Sequence, residues 1–541
     1  MKSYFTHKNN ICFLLTLALQ TIQTLLIILV AVLLSILIDA VSNSIQTGNT
    51  APLMKILLIC IVYAVLLGLS VFCTGRQKSR CIMNAMTALK KDVMSAILSK
   101  EIVSYQAEAK GAYLSMLNHN MSLVEENYFK NFFTIYASLL GMVLAAIVLF
   151  LTNPIVALFS LACTCIPTAI PKLFAKKLSA MQADTAEKAS DFQTQAAEIL
   201  DGYELIKNYS IEKKMQERYQ ERSIQAELCK YKWECIMAEL QGIANTASIL
   251  TQFLIMLFAG FLATKGYITL GSIVAVTQLS GQVITPASQL TAMFGLLTSI
   301  HPVSAKIMEL VKENDHLLPI DETKNEEHEI SFRDVSFSYG EQPVLKHIHL
   351  TLEKGKKYAL TGNSGSGKST LLKLLMQYYP TYEGQILIDG TELKEYECFF
   401  KQCAYVGQEV FLLNDTIEHN ICLYQKPDAE RLAYAIRESG LETVLEQTDK
   451  GVQAMAGENG SNFSGGERQR IAIARALYHN KKILLFDEAT SALDSAMAEK
   501  IENLILNLRG VTCLFVSHKL SASCVERYDG IIRLGAGIVS A

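Results

Sequence analysis

Residues 362–370 have the sequence Gly-Asn-Ser-Gly-Ser-Gly-Lys-Ser-Thr, whose glycine and lysine spacing suits phosphate chemistry. The segment follows a strand-like run and opens a helical run, and in this setting backbone N–H groups close around phosphate oxygens. The helix start adds a favourable dipole. We expect Lys368 to reach the terminal phosphates and Ser369 to bind Mg²⁺. The candidate phosphate-binding residues are Gly362, Asn363, Ser364, Gly365, Ser366, Gly367, Lys368, Ser369 and Thr370.

A pair of carboxylates, Asp487 and Glu488, follows the apolar run Ile-Leu-Leu-Phe at 483–486. Such a run is typical of a buried parallel strand. The end of a strand in such a sheet faces the crevice where ligands bind. We therefore expect Asp487 to hold Mg²⁺ through water. Glu488 then suits a general base that activates the attacking water.

The remaining motifs, taken in their order along 330–530, resemble those of ATP-binding cassette (ABC) proteins. Residues 462–470, Asn-Phe-Ser-Gly-Gly-Glu-Arg-Gln-Arg, resemble the family signature, usually Leu-Ser-Gly-Gly-Gln. The segment 491–494 resembles the D-loop, 517–520 the switch-histidine loop, 406–408 the glutamine loop and 337–340 the aromatic loop that stacks on adenine. Phe463 and Glu467 depart from the commoner Leu and Gln, and the Ser-Gly-Gly core is intact.

The resemblance implies an ATPase that uses ATP and Mg²⁺. It implies that Glu488, His518 and Gln408 are catalytic, and that Ser369, Gln408 and Asp487 hold the metal. It also implies ATP contacts from Tyr339, from the phosphate loop, and from Ser464, Gly465, Gly466, Glu467 and Asp494.

In the family, two cassettes enclose two ATP molecules head to tail, each phosphate loop facing the partner's signature. The residues support this arrangement, because Ser464 and the N–H groups after it form an anion site at a helix start. That site lies too far along the chain to serve its own phosphate loop readily. The chain has one cassette, so we expect it to pair with a second copy or with a homologous half-transporter.

The elements that must position these residues form two contrasting halves. Of 541 residues, 50 % are hydrophobic and 19 % charged, and long apolar runs fill 11–300. An ordinary soluble domain has about 25 % charged residues. Six segments are long enough to span a membrane, near 11–39, 52–73, 132–151, 154–174, 243–264 and 270–298. Lys2 and Lys8 precede the first apolar segment, as basic residues precede the apolar core of a signal peptide. The segment is too long for such a cleavable core, so we expect it to be a retained membrane helix.

We therefore predict an all-α six-helix transmembrane domain over 1–312, a linker over 313–329, and an α/β P-loop ATPase domain over 330–541. The long links near 74–131 and 175–242 have helical periodicity, which predicts that membrane helices extend far beyond the bilayer. The same links hold most of the Lys and Arg, whereas the three short links hold only Lys265. By the positive-inside rule the long links, both termini and the ATPase domain are cytoplasmic, in a multi-pass cytoplasmic-membrane protein.

Softer motifs in the helical half resemble the cytoplasmic loops of ABC exporters. They lie at 104–105, 111–117 and 201–212, and 457–460 in the cassette resembles the exporter-type loop that contacts them. The resemblance covers nearly the whole chain. We expect residues near 111–118 and 208–213 to dock on the cassettes.

The transported substrate is not fixed by these patterns. The spans hold few charges, with Asp39 at the outer end of the first, which argues against coupling to an ion gradient. Amides that either line a cavity or join helices occur at Gln20, Gln23, Gln252, Gln278, Gln282 and Gln289. A cavity without fixed charge suits a lipophilic compound, a lipid or a peptide. An outward transporter, an importer on the exporter fold and a non-transporting regulatory ATPase all remain open.

Net charge and cysteine spacing bear on the partners and the redox environment of the protein. The net charge of −3 gives no indication of a nucleic-acid partner. The thirteen cysteines show no pairing or metal-binding spacing, which favours a reduced, cytosolic environment for the soluble half.

Overall fold

The computed structural model describes residues 2–6, 9–100, 102–108, 110–312, 328–396, 399–517, 520–535 and 537–540. The chain divides into two compact units, Met1–Lys100 with Glu108–His316, and Glu101–Ala107 with Leu317–Ala541. Most of the predicted linker, residues 313–327, lies outside the described residues.

The regular elements described in the first unit and its short inserted segment are helices. They are α1 (Lys2–Thr6), α2 (Asn10–Thr47), α3 (Ala51–Leu98), α4 (Ile102–Gln106), α5 (Lys110–Ser115), α6 (Met121–Val124), α7 (Asn131–Thr152), α8 (Pro154–Asp201), α9 (Tyr203–Asn208), α10 (Glu212–Thr264), α11 (Leu270–Ser299) and α12 (His301–Lys312). Two π-helical turns, Met116–Asn120 and Glu125–Lys130, connect α5, α6 and α7 into one helical run.

Among the described residues of this unit, five helical segments are long and apolar enough to cross a membrane, and one further segment is apolar but shorter. Five are long: Asn10–Thr47, Ala51–Leu98, Lys110–Thr152, Glu212–Thr264 and Leu270–Lys312. The other is the apolar start of α8, Pro154–Ile170. Leu58, Val65 and Phe72 on α3 are more than half exposed, a surface that lipid would cover.

Three helices are much longer than a bilayer requires. α3 and α8 have 48 residues each and α10 has 53. At 1.5 Å per residue, α3 is about 72 Å long, whereas a hydrocarbon core is about 30 Å thick. The predicted extension of the membrane helices is therefore present.

The carboxylate of Asp39 on α2 binds the N-terminus of α11. The Gly271 N–H donates to Asp39 Oδ1 at 2.9 Å, and the Thr269 hydroxyl donates to Asp39 Oδ2 at 2.8 Å. A negative charge and a side-chain acceptor both favour a helix N-terminus. A Cβ on Gly271 would lie 2.1 Å from the Ser35 carbonyl oxygen, so the two backbones approach as only glycine permits.

A second buried cluster surrounds the short helix α1. Phe5, 2 % exposed, contacts Phe129 edge-on with 4.8 Å between ring centroids. The Tyr4 hydroxyl donates to Asp92 Oδ2 at 2.8 Å, which joins α1 to α3. The sequence did not indicate this helix, because it precedes the long apolar run and is only five residues long.

The described residues of the second unit form two sheets. Its strands are β1 (Ile330–Tyr339), β2 (Gln342–Leu352), β3 (Lys357–Gly362), β4 (Glu383–Ile388), β5 (Thr391–Glu392), β6 (Cys403–Val406), β7 (Ile483–Asp487), β8 (Thr512–Val516), β9 (Gly530–Gly535) and β10 (Ile538–Ser540). Its helices are α13 (Lys368–Leu375), α14 (Ile417–Cys422), α15 (Ala429–Glu438), α16 (Glu442–Leu445), α17 (Gly465–Tyr478) and α18 (Ser495–Asn507).

The larger sheet positions the chemistry. Its order is β10-β9-β3-β8-β7-β6, with β9, β3, β8, β7 and β6 parallel, and the smaller sheet β2-β1-β4-β5 is antiparallel. Strand β8 lies between β3 and β7, so both predicted motifs start from the carboxyl edge of one sheet. Every residue of β7 is buried, as its apolar sequence predicts.

Candidate functional site

The phosphate loop joins β3 to α13 through three glycines. Gly365 and Gly367 have φ of +78° and +98°, which residues with a Cβ rarely adopt. The Lys368 ammonium is buried and donates to the carbonyl oxygens of Gly362 and Asn363 at 3.0 and 2.9 Å. The Ser366 hydroxyl is also buried and has no hydrogen-bond partner among the described residues. Polar groups thus converge on a tight loop at a helix start, as phosphate binding requires.

Asp487 ends β7 directly beside this loop. The Ser369 hydroxyl donates to its Oδ1 and the Tyr405 hydroxyl to its Oδ2, each at 3.0 Å. Burial and the neighbouring carboxylate raise the pKa of Tyr405, so its hydroxyl remains a donor at neutral pH. Tyr405 was not among the residues predicted from the sequence. The sequence did place it near the end of a short strand-like segment. Pairing of that strand, β6, with β7 brings Tyr405 next to the strand that ends in Asp487.

Glu488 follows with a left-handed backbone, φ +53°, and its N–H donates to the Val516 carbonyl at 3.1 Å. This turn directs the chain out of the sheet at the carboxyl edge. Glu488 lines a cavity of about 700 Å³ together with Ser491, Glu502 and Ser517. His518, the predicted switch histidine, lies outside the described residues.

The predicted adenine and metal side chains lie on other elements, Tyr339 at the end of β1 and Gln408 just after β6. Tyr339 is 41 % exposed, packs edge-on against Phe337 and Tyr379, and its hydroxyl lies 3.3 Å from Thr370 Oγ1 at the start of α13. An exposed aromatic ring anchored to the phosphate-loop helix suits a flat base. Gln408 is exposed just after β6.

The signature segment is held as a helix start. The Ser464 hydroxyl accepts from the Glu467 N–H, and Glu467 Oε2 accepts from the Ser464 N–H at 2.7 Å. This reciprocal pair is a capping box, whose Ser-x-x-Glu pattern is visible in the sequence. The Glu467 side chain is therefore engaged with its own helix. Asp494 similarly caps α18, accepting from the Met497 N–H at 3.0 Å.

The signature helix is joined to the D-loop of the same chain. Gln469 is 2 % exposed, and its Oε1 accepts from the Ala492 N–H at 3.2 Å. A Cβ on Gly466 would lie 2.9 Å from the Ala492 carbonyl oxygen, whereas one on Gly465 would meet the Ala492 Cβ at an ordinary 3.6 Å. The predicted site residues therefore form two groups. No hydrogen bond or ion pair of the described residues links 362–370 with 462–470.

A P-loop ATP-hydrolysing domain that follows a bundle of membrane helices is the class that the fold and site define. Comparison with known proteins identifies the family. The model described as ABC transporter transmembrane region matches residues 13–287, and the model described as ABC transporter matches 345–491. The chain belongs to the ABC transporters and has the half-transporter architecture of one transmembrane region fused to one ATPase domain.

Several proteins are similar over most of the chain. The ATP-dependent lipid A-core flippase of Alkalilimnicola ehrlichii is 30 % identical over 83 % of this chain and 78 % of its own. The uncharacterized ABC transporter ATP-binding protein YfiC of Bacillus subtilis is 25 % identical over 92 % and 83 %. A bacterial Atm1-family ABC exporter solved with ATP bound has the same fold, with TM-score 0.79 and 22 % identity over 98 % of this chain and 94 % of its own.

These findings confirm the predicted fold class and a transport ATPase that uses ATP. They also confirm that the chain is a multi-pass membrane protein. The roles of the individual site residues, the metal and the partner remain predictions.

Proposed function

We propose that two copies of this chain form a transporter that moves a lipid or another lipophilic compound outward across the cytoplasmic membrane. The main support for ATP hydrolysis is the hydrogen bond between the Ser369 hydroxyl and the Asp487 carboxylate beside the phosphate loop. Similarity to proteins named lipid A-core flippases supports a lipid as substrate. The distribution of Lys and Arg supports cytoplasmic termini and a cytoplasmic ATPase domain.

Mg²⁺ fits the donors at this site. Ser369 Oγ and Asp487 Oδ1 lie 3.0 Å apart, and hydroxyl and carboxylate oxygens are hard donors that Mg²⁺ prefers. Ser369 would ligate it directly, Asp487 through water, and Gln408 through its amide oxygen. When bound, Mg²⁺ neutralises charge on the β- and γ-phosphates.

The protein's own residues divide the remaining work. Lys368 and the N–H groups of the phosphate loop bind the phosphates. Glu488 takes a proton from the attacking water, and His518 contacts the γ-phosphate. Ser464 and the N–H groups of Gly465 and Gly466 bind that phosphate from the partner chain. The separation of the signature group from the phosphate-loop group within one chain supports such a shared site.

The membrane glutamines are the proposed substrate contacts. Gln278 and Gln289 on α11 are exposed, and Gln252 on α10 lies 3.6 Å from a Cβ built on Gly281. No hydrogen bond of these three side chains to another described residue is present, which favours a cavity lining over a helix-joining role.

The experiment is reconstitution of the protein in vesicles with fluorescent lipids. Wild type should move labelled lipid only with ATP and Mg²⁺. Glu488→Gln should lower the ATPase rate at least about a hundredfold, because a general base contributes 10²–10⁴-fold, while ATP still binds. Glu499→Gln, which changes another carboxylate at the same cavity, should retain activity.

Hydrolysis by Glu488→Gln at the wild-type rate would remove Glu488 as the base. A monomer that hydrolyses ATP at the full rate would refute the shared site. ATP-dependent movement in the opposite direction would instead show an importer.

A further inference from the structure

Both carboxylate oxygens of Asp487 are occupied by hydroxyl donors from different elements. Ser369 on α13 donates to Oδ1, and Tyr405 on β6 donates to Oδ2, each at 3.0 Å. Asp487 is 4 % exposed. A polar group buried to this extent is costly unless its oxygens accept hydrogen bonds. Tyr405 therefore supplies half of the side-chain hydrogen bonding described for this group.

The sheet register dictates this contact. Strands β6 and β7 are parallel, with Tyr405 opposite Leu485, and Asp487 lies two residues beyond Leu485 on the same face. The Tyr405 ring packs against the buried cluster that includes Leu485 and the α13 residues Leu371 and Leu372. The ring is thereby held against this cluster, and its hydroxyl lies beside Asp487.

The same ring contacts the loop that carries Gln408. A Cβ on Gly407 would lie 3.1 Å from Tyr405 Cε1 and 3.3 Å from the Tyr405 hydroxyl oxygen. These distances are tighter than ordinary contact, so a larger residue at 407 would press on the ring. Tyr405 thus lies between the Gln408 loop and the carboxylate of Asp487.

We propose that Tyr405 is a positioning residue for ATP hydrolysis, which holds the Asp487 carboxylate from the side opposite Ser369. When Ser369 turns toward Mg²⁺ it no longer serves Oδ1, but Tyr405 continues to donate to Oδ2. The carboxylate then keeps its orientation toward the phosphate loop instead of rotating freely. This inference rests on the proposed assignment of Asp487 to Mg²⁺.

The test is Tyr405→Phe, which removes one oxygen and keeps the ring. The full-length protein, in the Glu488→Gln background to suppress hydrolysis, is titrated with a fluorescent ATP analogue at rising Mg²⁺ and separately in EDTA. We expect Tyr405→Phe to raise the half-saturating Mg²⁺ concentration about tenfold, as the loss of a charge-assisted hydrogen bond implies. Nucleotide affinity in EDTA should stay within about twofold, since the phosphate loop is unchanged.

Tyr396→Phe is the matched control. Its hydroxyl donates to the Ile388 carbonyl at 3.3 Å, in the antiparallel sheet, and its removal should leave the Mg²⁺ titration unchanged. Thermal unfolding of each sample reports separately on packing.

An unchanged Mg²⁺ midpoint in Tyr405→Phe would overturn the proposal. An equal loss of affinity with and without Mg²⁺ would also overturn it, because it would show that the hydroxyl serves only packing. Asp487→Asn separates this from the proposed function. If Asp487→Asn itself leaves the Mg²⁺ midpoint unchanged, the metal assignment fails. If it shifts the midpoint and Tyr405→Phe does not, only the role of Tyr405 fails.

Discussion

Gly466→Ala is the substitution that most directly separates a chain's own nucleotide site from the site it completes on its partner. Gly466 lies in the first turn of α17, and a Cβ there would lie 2.9 Å from the Ala492 carbonyl oxygen and 3.5 Å from Leu493 Cδ2. The first contact is with backbone, which cannot rotate away. The helix start and the D-loop must therefore separate by about half an ångström to reach ordinary contact.

The structure sets the size of the effect. Overpacking of this kind costs about 1–3 kcal/mol. If the cost falls on the orientation of Ser464 toward the partner, ATP-dependent dimerisation should weaken about 5- to 150-fold, at 1.4 kcal/mol for each factor of ten. The phosphate loop of the same chain has no hydrogen bond to 462–470 among the described residues. Its affinity for the first nucleotide should therefore change by less than about twofold.

The assay uses the Glu488→Gln background, in which bound ATP persists. Nucleotide binding is measured on dilute protein with a fluorescent analogue, and dimerisation by cross-linking of the ATPase domains over a range of ATP concentrations. Gly466→Ala should shift the cross-linking curve and leave the binding curve in place. A parallel loss in both curves would refute the separation of the two groups. No change in either would show that the Ala492 contact relaxes at little cost.

Two further substitutions test the stability of the fold rather than nucleotide binding. Asp39→Ala should lower the unfolding free energy by about 1–2 kcal/mol, because it removes the carboxylate that accepts from the Gly271 N–H and the Thr269 hydroxyl at the start of α11. Asp39→Asn should retain much of this stability. Equal thermal unfolding midpoints for Asp39→Ala and wild type in detergent would contradict this. Burial raises the pKa of Glu502, which is 1 % exposed. Its neutral form is thus favoured in the folded state, a stabilisation present below the ordinary Glu pKa and lost as pH rises through the raised value. Glu502→Gln should therefore raise the unfolding temperature at pH 8 and not at pH 4, and an equal shift at both would show that ionisation of Glu502 is not involved.

Much of the fold could be predicted from patterns within short segments of the sequence. The helical periodicity of the long links correctly indicated helices that extend beyond the bilayer, because period and composition are local properties of a segment. The apolar run before Asp487 likewise indicated a buried parallel strand. The glycine spacing of 362–370 placed the loop between a strand and a helix, where the structure has it.

Contacts between distant segments could not be predicted in the same way. Tyr405 and Asp487 are 82 positions apart, and only the register of β6 against β7 brings them together. Gln469 meets the D-loop because α17 packs beside it. The capping box of Ser464 and Glu467 was different, since its spacing is visible in the sequence. The family resemblance implies that Glu467 contacts ATP, which stays a prediction, and in this structure its Oε2 accepts from the Ser464 N–H.

The length of α3 has a mechanical consequence. Proline occurs only in its first turn, so 48 residues form one unbroken rod. If about 20 of them span the bilayer, the other ~28 form an arm of about 42 Å. Each degree of tilt then moves the far tip by about 0.7 Å, so ten degrees move it by about 7 Å, which is more than the ~5.4 Å pitch of one helical turn. Helix α11 differs from α3, because Pro286 lies inside the helix and has no N–H to donate to the preceding turn. A small tilt of α3 at its membrane end therefore becomes a large displacement of its far tip, because no internal proline bends the helix between them.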